Sequence, residues 1–357
     1  MRVAVVGGGL AGLVAATDLV ATGTEVTIFE PAAFGGQIRT RREAGFVVED
    51  GAEGWVASDP DLQQLCSMLG LTEQIISQQQ LRSHLYTAGQ LSELRPGHAA
   101  GLLGIQAKDT DLGRGIVSLR DGTGSLVEAL VRQIASRASL GGSESVGSID
   151  KDGSSLAVIT DSGDRFVVDA AVLAVPAATA GGLLEPHAPD AARELRAIEH
   201  ASNVSVSLAW NRSDVSHPLD ASGVVIETNL DLEGLRACAF SSSKLPNRAP
   251  ADKVLLRAFF RPTEATIDES DDAWRERAVR LMGPVLGLAG APLGAWVARW
   301  HHALPQYGKD HGQVIARVAA AFREIGRVSL AGAVYAPGGI PGAVRSGRAA
   351  AREVLEA

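Results

Sequence analysis

The stretch VVGGGLAGLVAA, residues 5–16, decides the fold class of this chain. Gly7, Gly9 and Gly12 match the pattern G-x-G-x-x-G between a strand-like run, RVAVVG, and a helix-like run, LVAATDLVATG. Glycine at these positions lets the backbone approach a pyrophosphate that lies at the N-terminus of a helix. The pattern therefore predicts a βαβ unit that binds a dinucleotide.

The residues that follow distinguish between dinucleotides. Glu30 ends the next apolar strand, where its carboxylate can accept hydrogen bonds from the adenosine ribose and would repel a 2'-phosphate, so NADP is disfavoured. A second glycine pair, Gly35 and Gly36, precedes GFVVEDGAEGW, residues 45–55. Plain NAD domains lack this second pair, which indicates FAD in an extended form.

The C-terminal stretch LAGAVYAPGGIPGAVRSGRAAAREVLEA, residues 330–357, resembles the N-terminal motif in its order of strand, glycine-rich turn and helix. A strand, a glycine-rich turn and a helix that begins near Pro341 would direct N–H groups and a positive helix end at the flavin ring. An alanine-rich surface helix after a loop is the alternative interpretation of this stretch taken alone.

Composition and charge limit the other function classes. The chain has 357 residues, 46% of them hydrophobic, which predicts two intertwined domains with a sizeable core. A net charge of -8 argues against a general electrostatic grip on nucleic acid or anionic lipid. Cys66 and Cys238 are predicted to be buried thiols. No charged leader precedes the apolar run at Val3, so we expect a cytoplasmic protein.

Two further stretches raise possibilities that the residues argue against. Residues 281–298 are uncharged and about long enough to span a bilayer, but glycines and prolines interrupt them, so we interpret them as a helix end, a turn and a strand. His301, His302 and His311 have no carboxylate or cysteine at ligand spacing, and no metal site is predicted.

The pattern of elements predicts an α/β fold. The chain begins with a Rossmann-like βαβ unit, continues from about 185 to 300 as a mainly antiparallel sheet with one helix, and returns to α/β character at its end.

The chain resembles the flavin-dependent protoporphyrinogen or coproporphyrinogen oxidases within the wider monoamine oxidase-like flavoproteins. The glycine motifs and the ending SGRAAA are typical of the whole superfamily. Stretches more particular to the porphyrinogen oxidases are DGAEGW, DPDLQQLCSMLGL, HLYTAGQLSEL, SLRDGTGSLVEAL, SSSKLPNRAP before VLLRAFF, and W-x-x-A-L-P-Q-Y-x-x-x-H from Trp300 to His311.

That resemblance implies noncovalently bound FAD and a discontinuous, Rossmann-like FAD-binding domain with a second, mainly antiparallel-sheet α+β substrate domain. The expected bounds are 1–80, 118–184 and 301–357 for the three parts of the FAD-binding domain, 185–300 for the substrate domain, and 81–117 for a hairpin of the substrate domain with the remnant of a helical domain. The resemblance further implies hydride transfer from a reduced substrate to flavin N5, with oxygen as the expected electron acceptor and no obligatory catalytic side chain. It also places Val146 near the adenine, and residues of the C-terminal turn and helix beside the flavin. The full predicted cofactor site comprises Gly7, Gly9, Leu10, Ala11, Gly12, Glu30, Gly35, Gly36, Arg39, Val146, Gly332, Ile340, Pro341 and Ala343.

The chain departs from the family pattern at several positions. The superfamily carries an arginine between the ribose acid and the glycine pair, where this chain has Phe34 at the end of a shorter loop; Arg39 is our hypothesis for a substitute. The arginine that some members use against a substrate propionate falls at Ser83, and the flavin-side lysine of amine oxidases at about Ser205. Lys244 is interpreted as a solvated charge in a turn.

A further departure is length, because the helical domain of the family is reduced here to residues 96–117. That domain usually walls the substrate cavity and contacts the membrane. Its reduction predicts a substrate cavity that is either more open or closed by a second copy of the chain. The resemblance itself implies a small-molecule substrate, with a porphyrinogen as the first candidate. The alternatives are a flavin oxidase or desaturase for an amine or another small substrate, and a noncatalytic FAD-binding partner protein.

Overall fold

The structure is a computed structural model that describes residues 1–103, 114–140 and 144–356. Residues 104–113 of the predicted remnant of the helical domain, which spans 96–117, lie outside the described residues. Ten α-helices are described: α1 Leu10–Ala21, α2 Pro60–Met68, α3 His98–Leu102, α4 Gly124–Ile134, α5 Ala177–Leu184, α6 Pro189–Arg196, α7 Ser241–Lys244, α8 Asp271–Leu286, α9 His311–Ile325 and α10 Gly339–Glu356.

Twenty strands are described within the same ranges. They are β1 Arg2–Val6, β2 Glu25–Phe29, β3 Thr40–Glu43, β4 Phe46–Glu49, β5 Trp55–Val56, β6 Ile75–Ser77, β7 Ser83–Thr87, β8 Gln90–Leu94, β9 Ile116–Leu119, β10 Ala138–Leu140, β11 Val146–Asp152, β12 Ser155–Thr160, β13 Arg165–Val168, β14 Ala170–Leu173, β15 His200–Asn211, β16 Gly223–Ile226, β17 Leu235–Ala239, β18 Lys253–Phe260, β19 Gly294–Pro305 and β20 Val328–Leu330.

The glycine motif lies at the centre of a five-stranded parallel sheet with the order β10-β2-β1-β14-β20. Strands buried on both faces need continuous apolar runs, and AVV in β1 and AAVL in β14 supply them. One face packs against α1, α4 and α10, and the other against β11 to β13 with α5, α6 and α9. The predicted Rossmann-like βαβ unit is confirmed.

A second, seven-stranded sheet has the order β19-β15-β18-β17-β16-β7-β8. Its neighbours are antiparallel except for β16 and β7, which run parallel. The predicted hairpin is present as β7 and β8, which join this sheet although they precede the other strands by more than a hundred residues. Helix α8 covers one face, and Trp210 and Trp274 fill the core there.

The uncharged stretch 281–298 divides as predicted. Helix α8 ends at Leu286, Gly287 adopts the left-handed conformation with φ 60° that stops a helix, and β19 begins at Gly294. Within the described ranges, no helix is both long enough and apolar enough to cross a bilayer. The predicted α/β class with a mainly antiparallel second sheet agrees with these observations, whereas the exact domain bounds stay a prediction.

Candidate cofactor-binding site

The loop between β1 and α1 accepts only glycine at two of its three motif positions. A Cβ on Gly7 would lie 2.5 Å from the Ala174 carbonyl oxygen, and one on Gly12 would lie 2.0 Å from the Gly7 oxygen. Gly9 differs, because a Cβ built there meets nothing within 4 Å. Gly7 and Gly12 therefore permit close packing of the backbone, whereas Gly9 faces open space.

Helix α1 leaves its N-terminus free for an anionic group. Gly9 is the N-cap, no side chain caps the helix, and the first turn contains no acidic residue. The first N–H groups of a helix have no intrahelical acceptor and carry partial positive charge. Leu10, Ala11 and Gly12 supply these groups at the point where Gly9 opens the loop.

Glu30 and the second glycine pair lie against this loop. The Glu30 carboxylate accepts hydrogen bonds from the Gly8 N–H at 2.7 Å and the Ala32 N–H at 2.9 Å, one on each oxygen. Gly35, with φ 111°, donates its N–H to the Gly8 oxygen and pairs with Gly9 in a β-bridge. The ring of Phe34 covers Gly8, where the superfamily arginine is expected.

The C-terminal residues of the predicted site approach the same loop through α10. This helix packs along α1, and a Cβ on Gly347 would lie 2.4 Å from the Ala11 oxygen. Ile340 and Pro341 are buried in the first turn, and Ala343 is partly buried beside them. The N–H of Gly332 donates to Ser346 Oγ at 2.8 Å, which ties the glycine-rich turn to the helix.

Val146 and Arg39 are the two remaining residues of the predicted site. Val146 is the first residue of β11 and packs against the cluster that contains Val6 and Phe29. The guanidinium of Arg39 pairs with the Asp50 carboxylate at 2.5 Å and stacks 5.3 Å above the ring of Trp300. The hypothesis that Arg39 replaces the missing loop arginine has no contact in its favour, and it stays untested.

The segment from Asp50 to Glu53 lies between the two sheets and was not recognised as a site in the sequence. The Asp50 carbonyl accepts hydrogen bonds from Arg257 Nη2 at 2.7 Å, Trp300 Nε1 at 2.9 Å and Ser205 Oγ at 3.4 Å. A Cβ on Gly51 would lie 1.7 Å from the Gln37 oxygen, so this glycine allows the segment to approach the second glycine pair. In the sequence this segment stands out only as part of the family stretch DGAEGW, because backbone contacts of this kind leave no periodicity or capping signal.

Lys244 corrects a prediction. It is not a solvated charge in a turn, because its ammonium group pairs with the Glu53 carboxylate and only 17% of its side chain is exposed. Burial raises the pKa of Glu53, but neighbouring cations, mainly Lys244 and Arg257, together lower it by more, so the net shift of this pKa is downward. The pKa of Glu49 shifts upward, mainly because of burial, despite hydrogen bonds from Thr40 and Thr123. The seam between the sheets therefore contains a buried network of charges.

Neutral polar residues occupy the two positions where related proteins carry a cation. Ser83 stands at the position of the substrate-binding arginine, and Ser205 at about the position of the amine-oxidase lysine. Ser83 is buried and shares a hydrogen bond of 2.8 Å with Ser222 Oγ, while Arg82 points to the exposed face and pairs with Glu93. No cluster of metal-ligating side chains occurs in the described part of the chain. His311 instead donates to the Val334 carbonyl at 2.7 Å.

The residues present fit an extended dinucleotide. The open position at Gly9 and the uncapped end of α1 would hold the pyrophosphate. The carboxylate of Glu30 would hold the adenosine ribose. Glycines 35, 36 and 51 continue the cradle towards the seam, where the flavin ring would lie beside the start of α10. FAD would therefore be held mostly by backbone groups.

Comparison with known proteins gives a consistent result. The family model described as flavin containing amine oxidoreductase matches residues 73–355, and that of the NAD(P)-binding Rossmann-like domain matches residues 5–69. The coproporphyrinogen III oxidase of Propionibacterium freudenreichii is 33% identical over 243 residues, which cover 67% of this chain and 45% of that protein. The matched region spans about half of the Bacillus subtilis enzyme of the same name, at 28% identity.

Other matches cover the full length. The coproporphyrinogen III oxidase of Mycobacterium bovis is 27% identical, with 99% of this chain and 97% of that protein covered. A crystal structure from Exiguobacterium sp. 255-15, provisionally assigned as a protoporphyrinogen oxidase, superposes with a TM-score of 0.86 at 21% identity, covering 100% of this chain and 99% of that one. Putrescine oxidase bound to putrescine gives a TM-score of 0.73 at 14% identity, with both chains fully covered. These structural likenesses establish the fold.

Proposed function

Because the chain belongs to the family of flavin-containing amine oxidoreductases, we propose that it oxidises a porphyrinogen, with coproporphyrinogen III as the first substrate to test. The membership confirms the predicted superfamily, the predicted enzyme class and the predicted cofactor, FAD. The substrate is taken from the names of the relatives and therefore forms part of the proposal.

One structural observation supports this function most directly. The start of α1 contacts the second glycine pair, Gly51 of the segment 50–53 approaches Gln37 next to that pair, and α10 packs along α1 although more than 300 residues separate these two helices in the chain. An extended dinucleotide needs backbone donors at both of its ends, and this convergence supplies them.

When bound, FAD would supply the redox chemistry by accepting a hydride from a substrate carbon and passing the electrons to an acceptor such as oxygen. The residues of this chain would hold the reactants in position. Glu30 would orient the adenosine ribose, and the N–H groups of Leu10 and Ala11 would face the pyrophosphate. We assign no catalytic side chain, since positioning and electrostatics are what the protein contributes.

Substrate recognition would differ from that of relatives with an arginine at the position of Ser83. Ser83 and Ser222 satisfy each other's hydroxyl groups and leave no cation there for a propionate. The Ser205 hydroxyl is bound to the Asp50 carbonyl and to Arg257, which disfavours the amine-oxidase arrangement with a lysine at this position. Closure of the cavity by a second copy of the chain stays a prediction.

Anaerobic mixing of the purified, FAD-loaded protein with coproporphyrinogen III tests the proposal. We expect the absorbance of the oxidised flavin to disappear on mixing. The absorbance of the porphyrin should appear once air is admitted, because each FAD accepts two electrons whereas conversion of a porphyrinogen to a porphyrin releases six. Protoporphyrinogen and putrescine serve as comparison substrates, because they separate porphyrinogen oxidation from amine oxidation. Failure of both porphyrinogens to reduce the flavin would remove the proposed substrate class, and failure to bind FAD would remove the whole proposal.

A further inference from the structure

Arg257 on β18 is a buried cation without a contact ion pair. Only 3% of the residue is exposed. Among the described residues, no carboxylate oxygen lies within 4.0 Å of its guanidinium, whereas Arg248, which is equally buried, pairs with Glu49 at 3.7 Å. A buried charge without a counter-ion is costly unless other groups of the site use it.

The guanidinium instead donates hydrogen bonds to the carbonyl oxygens of two successive peptide groups. Nη2 donates to the Asp50 oxygen at 2.7 Å, and Nη1 donates to the Gly51 oxygen at 2.8 Å. Nη2 also donates to Ser205 Oγ at 3.1 Å, and Nε has no acceptor among the residues described. Burial is the main cause that lowers the pKa of Arg257, and the carboxylates of Glu53, Glu49 and Asp50 oppose it from a distance.

The N–H groups of the two peptides that Arg257 binds point away from its guanidinium. In a trans peptide the C=O and N–H bonds are antiparallel, so binding the oxygens of Asp50 and Gly51 turns the N–H groups of Gly51 and Ala52 in the opposite direction. None of the hydrogen bonds found between described residues is donated by either N–H group. Ala52 is exposed and Gly51 is half-buried, so this face of the segment borders open space.

We propose that Arg257 is a positioning residue that holds the Gly51 and Ala52 N–H groups towards the flavin and thereby favours its reduced state. The inference rests on the proposed function, because the fit of FAD to the cleft is what places the ring at this segment. A cation bound to a carbonyl oxygen polarises the peptide, and its N–H end becomes a stronger donor. Reduction adds negative charge to the flavin ring, and such donors stabilise that charge.

The test is the reduction potential of bound FAD in Arg257→Lys and Arg257→Gln. Lysine keeps the charge but presents no planar fork to two carbonyls, so we expect the equilibrium constant for reduction to fall about tenfold, which is about 30 mV for a two-electron couple. Glutamine also removes the charge, and we expect a larger fall. The equilibrium is measured spectrophotometrically against a reference dye under anaerobic conditions.

Arg248→Lys is the matched control. Arg248 is buried on the other side of the same network, where it donates to the carbonyls of Leu119 and Arg120 and to Ser118 Oγ. We expect its variant to keep the parent equilibrium within about twofold. The proposal is overturned if Arg257→Lys binds FAD with an unchanged potential, if Arg248→Lys shifts the potential equally, or if Arg257→Lys stays folded and loses only FAD binding. Failure of the parent protein to bind FAD would instead refute the proposed function.

Discussion

Gly9 and Gly12 belong to one motif but serve different purposes. The position beside Gly12 is filled by the backbone of Gly7, whereas the position beside Gly9 is empty. A side chain at residue 12 therefore disturbs the protein itself, and one at residue 9 enters the space expected for the cofactor.

We predict that Gly9→Ala folds with nearly parental stability and binds FAD about tenfold or more weakly, because a methyl group displaces the pyrophosphate from the end of α1. Gly12→Ala should lose about 2 kcal/mol or more of unfolding free energy, since its Cβ would lie 2.0 Å from a carbonyl oxygen. Denaturant unfolding of the apoprotein and FAD titration measure the two effects separately. Equal losses of stability in both variants would contradict this assignment.

The two cysteines carry a second prediction at this scale. Both are free and buried, as the sequence predicts, and burial raises the pKa of Cys66 to about 11 and that of Cys238 to about 12. Only the thiolate is nucleophilic. We therefore expect neither thiol to react with an aromatic disulfide reagent at pH 8 in the folded protein and both to react after unfolding. Rapid labelling of either thiol in the native state would contradict the burial described.

At the scale of elements, the turn between β20 and α10 is held from outside by α9 and the residues before it. Tyr307 Oη donates to the Ala333 oxygen at 2.9 Å and His311 Nε2 to the Val334 oxygen at 2.7 Å. The two rings contact each other edge to face, with their centroids 5.0 Å apart. This pair fixes the direction in which α10 begins.

We predict that Tyr307→Phe loses about 1 kcal/mol of unfolding free energy and weakens FAD binding, because the Ala333 carbonyl loses its donor. The matched control is Tyr335→Phe, since the buried Tyr335 hydroxyl has no hydrogen-bond partner among the described residues. Its removal should leave stability unchanged or slightly increased. Thermal unfolding and FAD titration of both variants decide the matter; a larger loss in Tyr335→Phe would refute the interpretation.

Elements with local signals were predictable from the sequence, and the contacts between them were not. Asp59 caps α2 by accepting a hydrogen bond from the Leu62 N–H, and Ser270 caps α8 in the same way through the Ala273 N–H. By contrast, Arg257 meets Asp50 across 207 residues of chain. Periodicity and capping report interactions within a few residues, whereas partners at such distances depend on how the sheets pack.

At the scale of the whole molecule, buried charges join the two sheets. Lys244 follows β17 in the seven-stranded sheet, and its partner Glu53 belongs to the segment between β4 and β5. Both side chains are mostly buried, with 17% and 15% exposed. Breaking one half of such a pair leaves the other charge uncompensated.

We predict that Lys244→Met costs about 3 kcal/mol of unfolding free energy and that Lys244→Met combined with Glu53→Gln costs less than the single change. The pKa of Glu53 is depressed below its ordinary value of 4.5, so its contribution is present above that value and is lost as the pH falls through the folded-state pKa. Glu53→Gln should therefore flatten the loss of stability in acid. Glu49, whose pKa is raised, acts with the opposite sign and is unchanged in this comparison.

The order of the strands in the parallel sheet also has a consequence for biosynthesis. Strand β1 is complete at residue 6, but β20 and α10, which finish the same sheet and flank α1, are formed by residues 328–356. At a synthesis rate of about 5 to 20 residues per second, on the order of 20 to 60 s pass between the synthesis of β1 and that of β20 and α10. During this interval the apolar face of α1 has no α10 to pack against. Loading of the cofactor is therefore expected only after residues 328–356 have been synthesised and have left the ribosome.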